Sequence, residues 1–170
     1  MQNQQSFADL EYAMRKKKTK RELFLDLMDS LVPWDECIAL AKPSCPAGRR
    51  GRPARDPEMM LRMYLLRRWF GLSDASAEDE AYDSFAFRTF LRLSFFDEQT
   101  PDATTLGRFR RKLDGSGAGA QIDALIAAAL KQKGLSLRHG SAIEAAAVRT
   151  KAPKKKKKKP AGRKAKKKTK

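Results

Sequence analysis

The residues best placed for chemistry are four polar side chains in the stretch PDATTLGRFRRKL, residues 101–113. At 100° per residue, Leu106, Phe109 and Leu113 fall on one narrow stripe, and Thr104, Arg108, Arg111 and Lys112 fall roughly opposite. Asp102 can cap the start, because its carboxylate can accept from a free amide of the first turn. Such a helix buries three apolar groups and turns a row of cations and a hydroxyl outward. Arginine reads guanine edges with two parallel N–H bonds, and threonine hydroxyls hold phosphates, so this face has the donors to enter a DNA major groove. The same pattern also describes an amphipathic surface helix whose basic face is simply solvated. Arg110 lies beside the stripe and is the expected structural arginine. A second basic feature is Arg50-Gly51-Arg52-Pro53. It has the form of an AT-hook core, an extended segment that places Arg50 and Arg52 in a narrow A·T minor groove. An ordinary basic linker has the same composition. The third is the run Lys154, Lys155, Lys156, Lys157, Lys158 and Lys159, which offers phosphate contacts but no geometry for reading bases.

Net charge is +17 over 170 residues, which favours a polyanionic partner. That charge is unevenly placed. After Val148 come 14 Lys or Arg and no acid, so residues 1–148 hold 23 basic against 20 acidic side chains and are nearly neutral. Cys37, Cys45 and the single histidine, His139, do not make a zinc-site pattern, and two thiols make no disulfide framework. A reducing cytoplasm fits this usage. The polar start MQNQQSFADLEY lacks the apolar core of a secretion signal, and no apolar run approaches the length of a membrane span. A membrane is therefore not among the expected partners.

The elements that must hold the basic residues are legible along the chain. Residues 1–18 are polar, end in Arg15-Lys16-Lys17-Lys18 and predict a flexible N-terminus. Thr19 to Glu22, TKRE, has the form of a capping box, and Leu23, Phe24, Leu27, Met28 and Leu31 then give a helical stripe. Pro33 suits the first turn of a second short helix, with Asp35 and Glu36 near its positive end and Trp34 as a core anchor. Residues 42–55, rich in Pro, Gly and Arg, predict a linker. Asp56-Pro57-Glu58 opens a helix that is apolar nearly all round, closes at Gly71 and is the predicted central core helix. Ser73 and Ser84 are the predicted caps of two short helices, the second turning Phe87, Phe90 and Leu91 inward. Residues 115–119 predict a flexible break. Ile122, Leu125, Ile126, Ala129 and Leu130 then form a stripe that Gly134 closes. LSLRHG and AIEAAAV predict a short strand or hairpin near 135–148, and residues 149–170 predict a disordered lysine-rich tail. The predicted fold class is all-α: a compact helical domain over residues 19–134 with helix-turn-helix-like elements.

GRRGRP, MLRMYLLRRWFGLSD, AYDSFAFRTFLRL and PDATTLGRFRRKL, in this order, resemble the N-terminal DNA-binding domain of bacterial insertion-sequence transposases, of the insertion-sequence-five group and the DDE type. The resemblance covers about residues 18–148. It implies a helical domain that recognises the terminal inverted repeats of a mobile element in double-stranded DNA. In the family this domain precedes an RNase H-like domain whose three carboxylates bind two divalent metals, which activate the attacking oxygen and stabilise the leaving one. The family's first catalytic Asp follows a Gly-rich turn on a strand. The equivalent run here is Gly140-Ser141-Ala142-Ile143-Glu144-Ala145-Ala146, so Glu144 stands at that position, one methylene longer than the family's residue. One carboxylate cannot assemble the centre, and an ordinary strand residue is the expected state of Glu144. Residues 135–148 are then the remnant of the first strands of the catalytic fold. The expectation is a truncated transposase: the DNA-binding half, no enzyme as it stands, with no cofactor and with Mg²⁺ needed only by an intact catalytic domain. An intact transposase is a second expected partner, and the nucleoid in the cytoplasm the expected place. Two other readings stay open. One is a histone-like architectural protein that binds DNA through its tail. The other is the first part of an active transposase completed by frameshifting at the codons for the lysine run.

Overall fold

Asp56, Pro57 and Glu58 start the helix on which the others pack. In a computed structural model, which describes Met14 and residues 17–45, 55–93, 100–138 and 141–144, the Asp56 carboxylate accepts from the amides of Glu58 and Met59 at 3.4 and 3.2 Å. Proline costs nothing at the first helical position, where its missing N–H would have no partner. With Pro33 standing at the cap just before the second helix, the elements are α1 (Lys20–Leu31), α2 (Trp34–Ala41), a 3₁₀ turn (Lys42–Ser44), α3 (Pro57–Phe70), α4 (Asp74–Asp83), α5 (Phe85–Phe90), α6 (Ala103–Gly115), α7 (Ala118–Gln132), β1 (Leu135–Arg138) and β2 (Ser141–Glu144). The fold is mostly helical, as its sequence predicts. α3 buries Met60, Leu61, Met63, Tyr64, Leu65, Leu66 and Trp69 together with Arg62, so its middle is buried nearly all round, and its other charged residues, Glu58, Arg67 and Arg68, lie in its first and last turns. It touches α2, α4 and α6. Gly71 ends it in the left-handed conformation, φ 66°.

The caps follow the sequence closely. Thr19 and Glu22 form the predicted capping box on α1, Ser73 accepts from the Ser76 amide at 3.0 Å, and Asp102 caps α6. Ser84 stands at the cap position of α5, but its side chain makes no capping bond. That helix is held instead by burial of Ala86, Phe87 and Phe90, with Leu91 behind them. The stripe expected on α1 is rotated. Leu23 is 56 % exposed, whereas Leu25 is 3 % and Val32 5 % exposed. Phe24 decides the rotation by setting its ring edge-on against both Trp69 and Phe70, each at 5.6 Å. Trp34, expected as a core anchor, packs against the core but is only partly buried, its indole N–H donating to the Asp29 carbonyl at 2.9 Å.

Two segments are more ordered than their sequence predicts. Lys42–Ser44, expected within the linker, form the 3₁₀ turn with Ser44 buried. The break expected at 115–119 is a two-residue turn: α6 runs to Gly115 and α7 starts at Ala118, with Gly117 at φ 75°. Ile122, Ile126 and Leu130 of α7 are buried as the stripe requires. Gly134, φ 68°, then turns the chain into an antiparallel hairpin in which Leu135 pairs with Glu144. Cys37 and Cys45 are free thiols. The N-terminal residues 1–13 and the tail after 144 lie outside the described residues.

Gly119 marks a close approach. A Cβ there would lie 2.8 Å from the Tyr64 hydroxyl and 2.9 Å from Asp114 Oδ1. Tyr64 donates to that same carboxylate at 2.9 Å. Gly119→Ala should therefore destabilise the fold by about 1–2 kcal/mol despite alanine's better helix propensity, because the methyl group forces this pair apart. Gly115→Ala, where nothing lies within 4 Å, should be neutral or stabilising. Urea unfolding of the two variants gives the comparison, and equal midpoints would show that the approach can relax.

Candidate nucleic-acid interface

α6 begins where two carboxylates close its free amides. Asp102 accepts from the Thr105 N–H and Glu78 of α4 from the Ala103 N–H, both at 2.7 Å. The Thr105 amide, more than any other cause, holds the Asp102 carboxyl below its usual range. The inner side of the helix is Leu106, Phe109 and Leu113, all completely buried, with Phe109 meeting the Tyr64 ring edge-on at 6.2 Å. Thr104, Arg108, Arg111 and Lys112 are exposed. Their placement opposite the apolar stripe follows from the helical period alone.

Ion pairing separates these cations from the rest. Arg21 is tied to Glu80, Arg67 and Arg110 to Asp74, Arg68 to Asp123, Arg92 to Glu58 and Lys18 to Asp26. Arg108, Arg111 and Lys112 have no carboxylate at ion-pair distance among the described residues. Arg111 donates through Nε to the carbonyl of Gly107 at 3.2 Å, which steadies its stem and leaves its two terminal nitrogens for another acceptor. Three cations on one solvent face, none of them in an ion pair among the described residues, favour a positive potential there.

Arg110 has the structural place expected of it. Its Nε and Nη2 donate to Asp74 Oδ1 and Oδ2 at 3.3 and 3.1 Å. Gly107 permits this approach of α4 to α6, since a Cβ there would meet Asp74 Oδ2 at 3.1 Å. Burial pushes the Asp74 carboxyl up, but Arg110 and Arg67 together outweigh it and hold it below its ordinary value of 3.8. A carboxyl depressed in the folded state stabilises the fold above its unfolded value, and that contribution is lost as pH falls through the folded one. Stability should thus decline as pH drops below 3.8, and Asp74→Asn should flatten that part of the profile. Chemical denaturation from about pH 5 to about pH 2 measures it. An unchanged profile would mean the pair contributes nothing.

Of the other residues singled out by sequence, Arg50, Arg52 and Lys154 to Lys159 lie outside the described residues. Glu144 is the last residue of β2, in register with Leu135. Among the described residues no group of three or more His, Cys, Asp or Glu is placed to hold a metal ion, so the donors of a two-metal centre are not assembled there. No helix among them is long and apolar enough to cross a membrane. Sequence reading missed Asp74 and Glu78, the two α4 carboxylates that fix α6. The signal was an acidic helix of the right charge to meet a basic one, but nothing local says which acid meets which base.

Residues 12–112 match a family model described as Transposase domain (DUF772). The match spans more than half of the chain and runs from before α1 to Lys112. No solved structure matches the chain.

Proposed function

From the premise that the chain belongs to the family Transposase domain (DUF772), we propose that it is the DNA-binding part of an insertion-sequence transposase, binding double-stranded DNA at terminal inverted repeats. In this reading α6 is the groove-facing helix. Arg108 and Arg111 reach base edges, and Thr104 and Lys112 hold phosphates. α6, the turn at 116–117 and α7 are its helix-turn-helix-like unit. The observation that carries the proposal is the ion-pair pattern among the described residues: the α6 cations opposite the core have no carboxylate there at ion-pair distance, while Arg110 on the same helix is paired with Asp74. Arg50 and Arg52 would add minor-groove contacts, and Lys154 to Lys159 phosphate contacts, at the nucleoid.

A second reading, architectural binding indifferent to sequence, is favoured by the 14 cations after Val148. One experiment separates the two. The chain is titrated against a duplex carrying the terminal repeat that flanks its gene and against a scrambled duplex, at two or more salt concentrations. Specific recognition should give the repeat the higher affinity at every salt concentration. Deleting residues 149–170 should lower both affinities and flatten the salt dependence, by about 0.9 in log–log slope for each phosphate that the tail had neutralised. Equal affinity for both duplexes before and after deletion leaves only the architectural reading.

A further inference from the structure

Tyr82 of α4 is 52 % exposed, and no other aromatic residue among the described ones is exposed. Its hydroxyl makes no hydrogen bond and its ring meets no other ring among them. A single exposed ring needs no explanation by itself. The place of this one supplies it. α4 lies along the side of α6 and runs the opposite way. Asp74 holds Arg110, and Glu78, one turn on, accepts from the Ala103 amide at the start of α6. Tyr82 follows Glu78 at the same spacing, so it stands about 6 Å further along α4 and past the first residue of α6.

Residues four apart drift about 40° around a helix. From Asp74 through Glu78 to Tyr82 the drift is away from Ala77 and Ala81, which are buried, so the third member of the row reaches the surface. On α6 the residues toward α4 are Ala103, Gly107 and Arg110. Thr104 and Arg111 come next around that helix, on the side away from the core. Tyr82 therefore borders the solvent face that Thr104 begins. It does so at the N-terminal end of α6, the end whose residues come closest to base edges when a recognition helix docks in the major groove.

The charges at this end are negative. Asp102 and Glu78 accept from the Thr105 and Ala103 amides, and Asp79 and Asp83 are exposed on α4. Such a rim repels phosphates and leaves an uncharged ring as the contact it can offer DNA. The apolar mark of the major groove is the 5-methyl group of thymine. We propose that Tyr82 is a specificity-determining residue, whose ring covers a thymine methyl at the edge of the bases that α6 faces. This role rests on the DNA-binding reading and deepens it. It places a base reader on α4, a helix whose charged residues are all acids and which the search for basic residues passes over.

The test titrates the full chain, Tyr82→Ala and Tyr82→Phe against the terminal repeat that flanks its gene and against a scrambled duplex. A further set of repeats has one thymine at a time replaced by uracil, which lacks only the methyl. With about half of the ring left to cover, Tyr82→Ala should bind the repeat about four- to tenfold more weakly and the scrambled duplex like the parent. The salt slope should not change, because no charge is removed. Tyr82→Phe should bind like the parent, and neither variant should lower Tm. At one position uracil should cost the parent about fourfold, the worth of one buried methyl group, and cost Tyr82→Ala nothing. If no uracil position is coupled to Tyr82 while Arg108→Ala and Arg111→Ala still lose the repeat, the ring reads no methyl and the DNA-binding reading stands. If Tyr82→Phe loses as much as Tyr82→Ala on both duplexes alike, the hydroxyl holds a phosphate and the methyl contact is refuted. Affinity lost only together with Tm makes Tyr82 a structural residue and overturns the role. If the parent does not prefer the repeat, this role and specific recognition fall together.

Discussion

Arg62→Ala is expected to cost about 2–4 kcal/mol of folding stability, from the void left by a large buried side chain and the carbonyl left without a donor. Arg62 is 1 % exposed on the central helix. Its Nε donates to Glu58 Oε1 at 2.8 Å and its Nη1 to the Phe90 carbonyl at 2.9 Å, and Nη1 lies 2.7 Å from Asp29 Oδ1. The guanidinium also sits 3.9 Å over the Trp34 ring and 4.9 Å from the Phe90 ring centre. One side chain therefore joins α1, α2, α3 and α5, and alanine leaves a void between them as well as an unmet carbonyl. Arg62→Lys should recover only part of the loss, since an ammonium keeps the charge but cannot stack flat or fork to two acceptors. Asp29 and Glu58 are 42 % and 26 % exposed, so both carboxylates can turn to water. Arg62→Met, which fills the volume without charge, should for that reason cost less than Arg62→Ala. Urea unfolding at neutral pH ranks the three. A loss under about 1 kcal/mol for Arg62→Ala would show the site relaxes without its arginine.

Arg108→Ala or Arg111→Ala is expected to lower affinity for the terminal repeat by about 1–3 kcal/mol if each makes a bidentate base contact, and affinity for random duplex by much less. Neither change should alter stability much, because both side chains are exposed and have no carboxylate at ion-pair distance among the described residues. Arg110→Ala should do the reverse. It leaves Asp74 with Arg67 alone, so it costs stability through the tie between α4 and α6 and affects both duplexes equally. Binding titrations of each variant against repeat and scrambled DNA, paired with melting curves, read both quantities. If Arg108→Ala and Arg111→Ala lower the two affinities by one factor, this helix holds phosphates only, and base reading lies elsewhere on the surface. A loss of specificity with Arg110→Ala at unchanged stability would reverse the roles assigned here.

Local signals carried far into this fold. The caps at Thr19, Asp56, Ser73 and Asp102, the ends at Gly71 and Gly134, and the α6 stripe of Leu106, Phe109 and Leu113 each depend on residues within a turn or two of one another. Backbone amides left open at a helix start need an acceptor nearby, and a helical period needs no partner to be read, so the sequence alone determined these features. It also determined that the cations of α6 point away from the core. What packs against what was decided only in three dimensions. Leu25 rather than Leu23 is buried because Phe24 meets Trp69 and Phe70, some 45 residues along the chain. Gly119 is needed because α7 crosses Tyr64 of α3. Arg108, Arg110 and Arg111 have the same side chain in one run of sequence. Only the position of Asp74, 36 residues earlier, makes Arg110 a strut, while Arg108 and Arg111 have no carboxylate at ion-pair distance among the described residues. Long-range charge pairing depends on which helices pack, and packing is set by the whole buried surface at once rather than by any one segment.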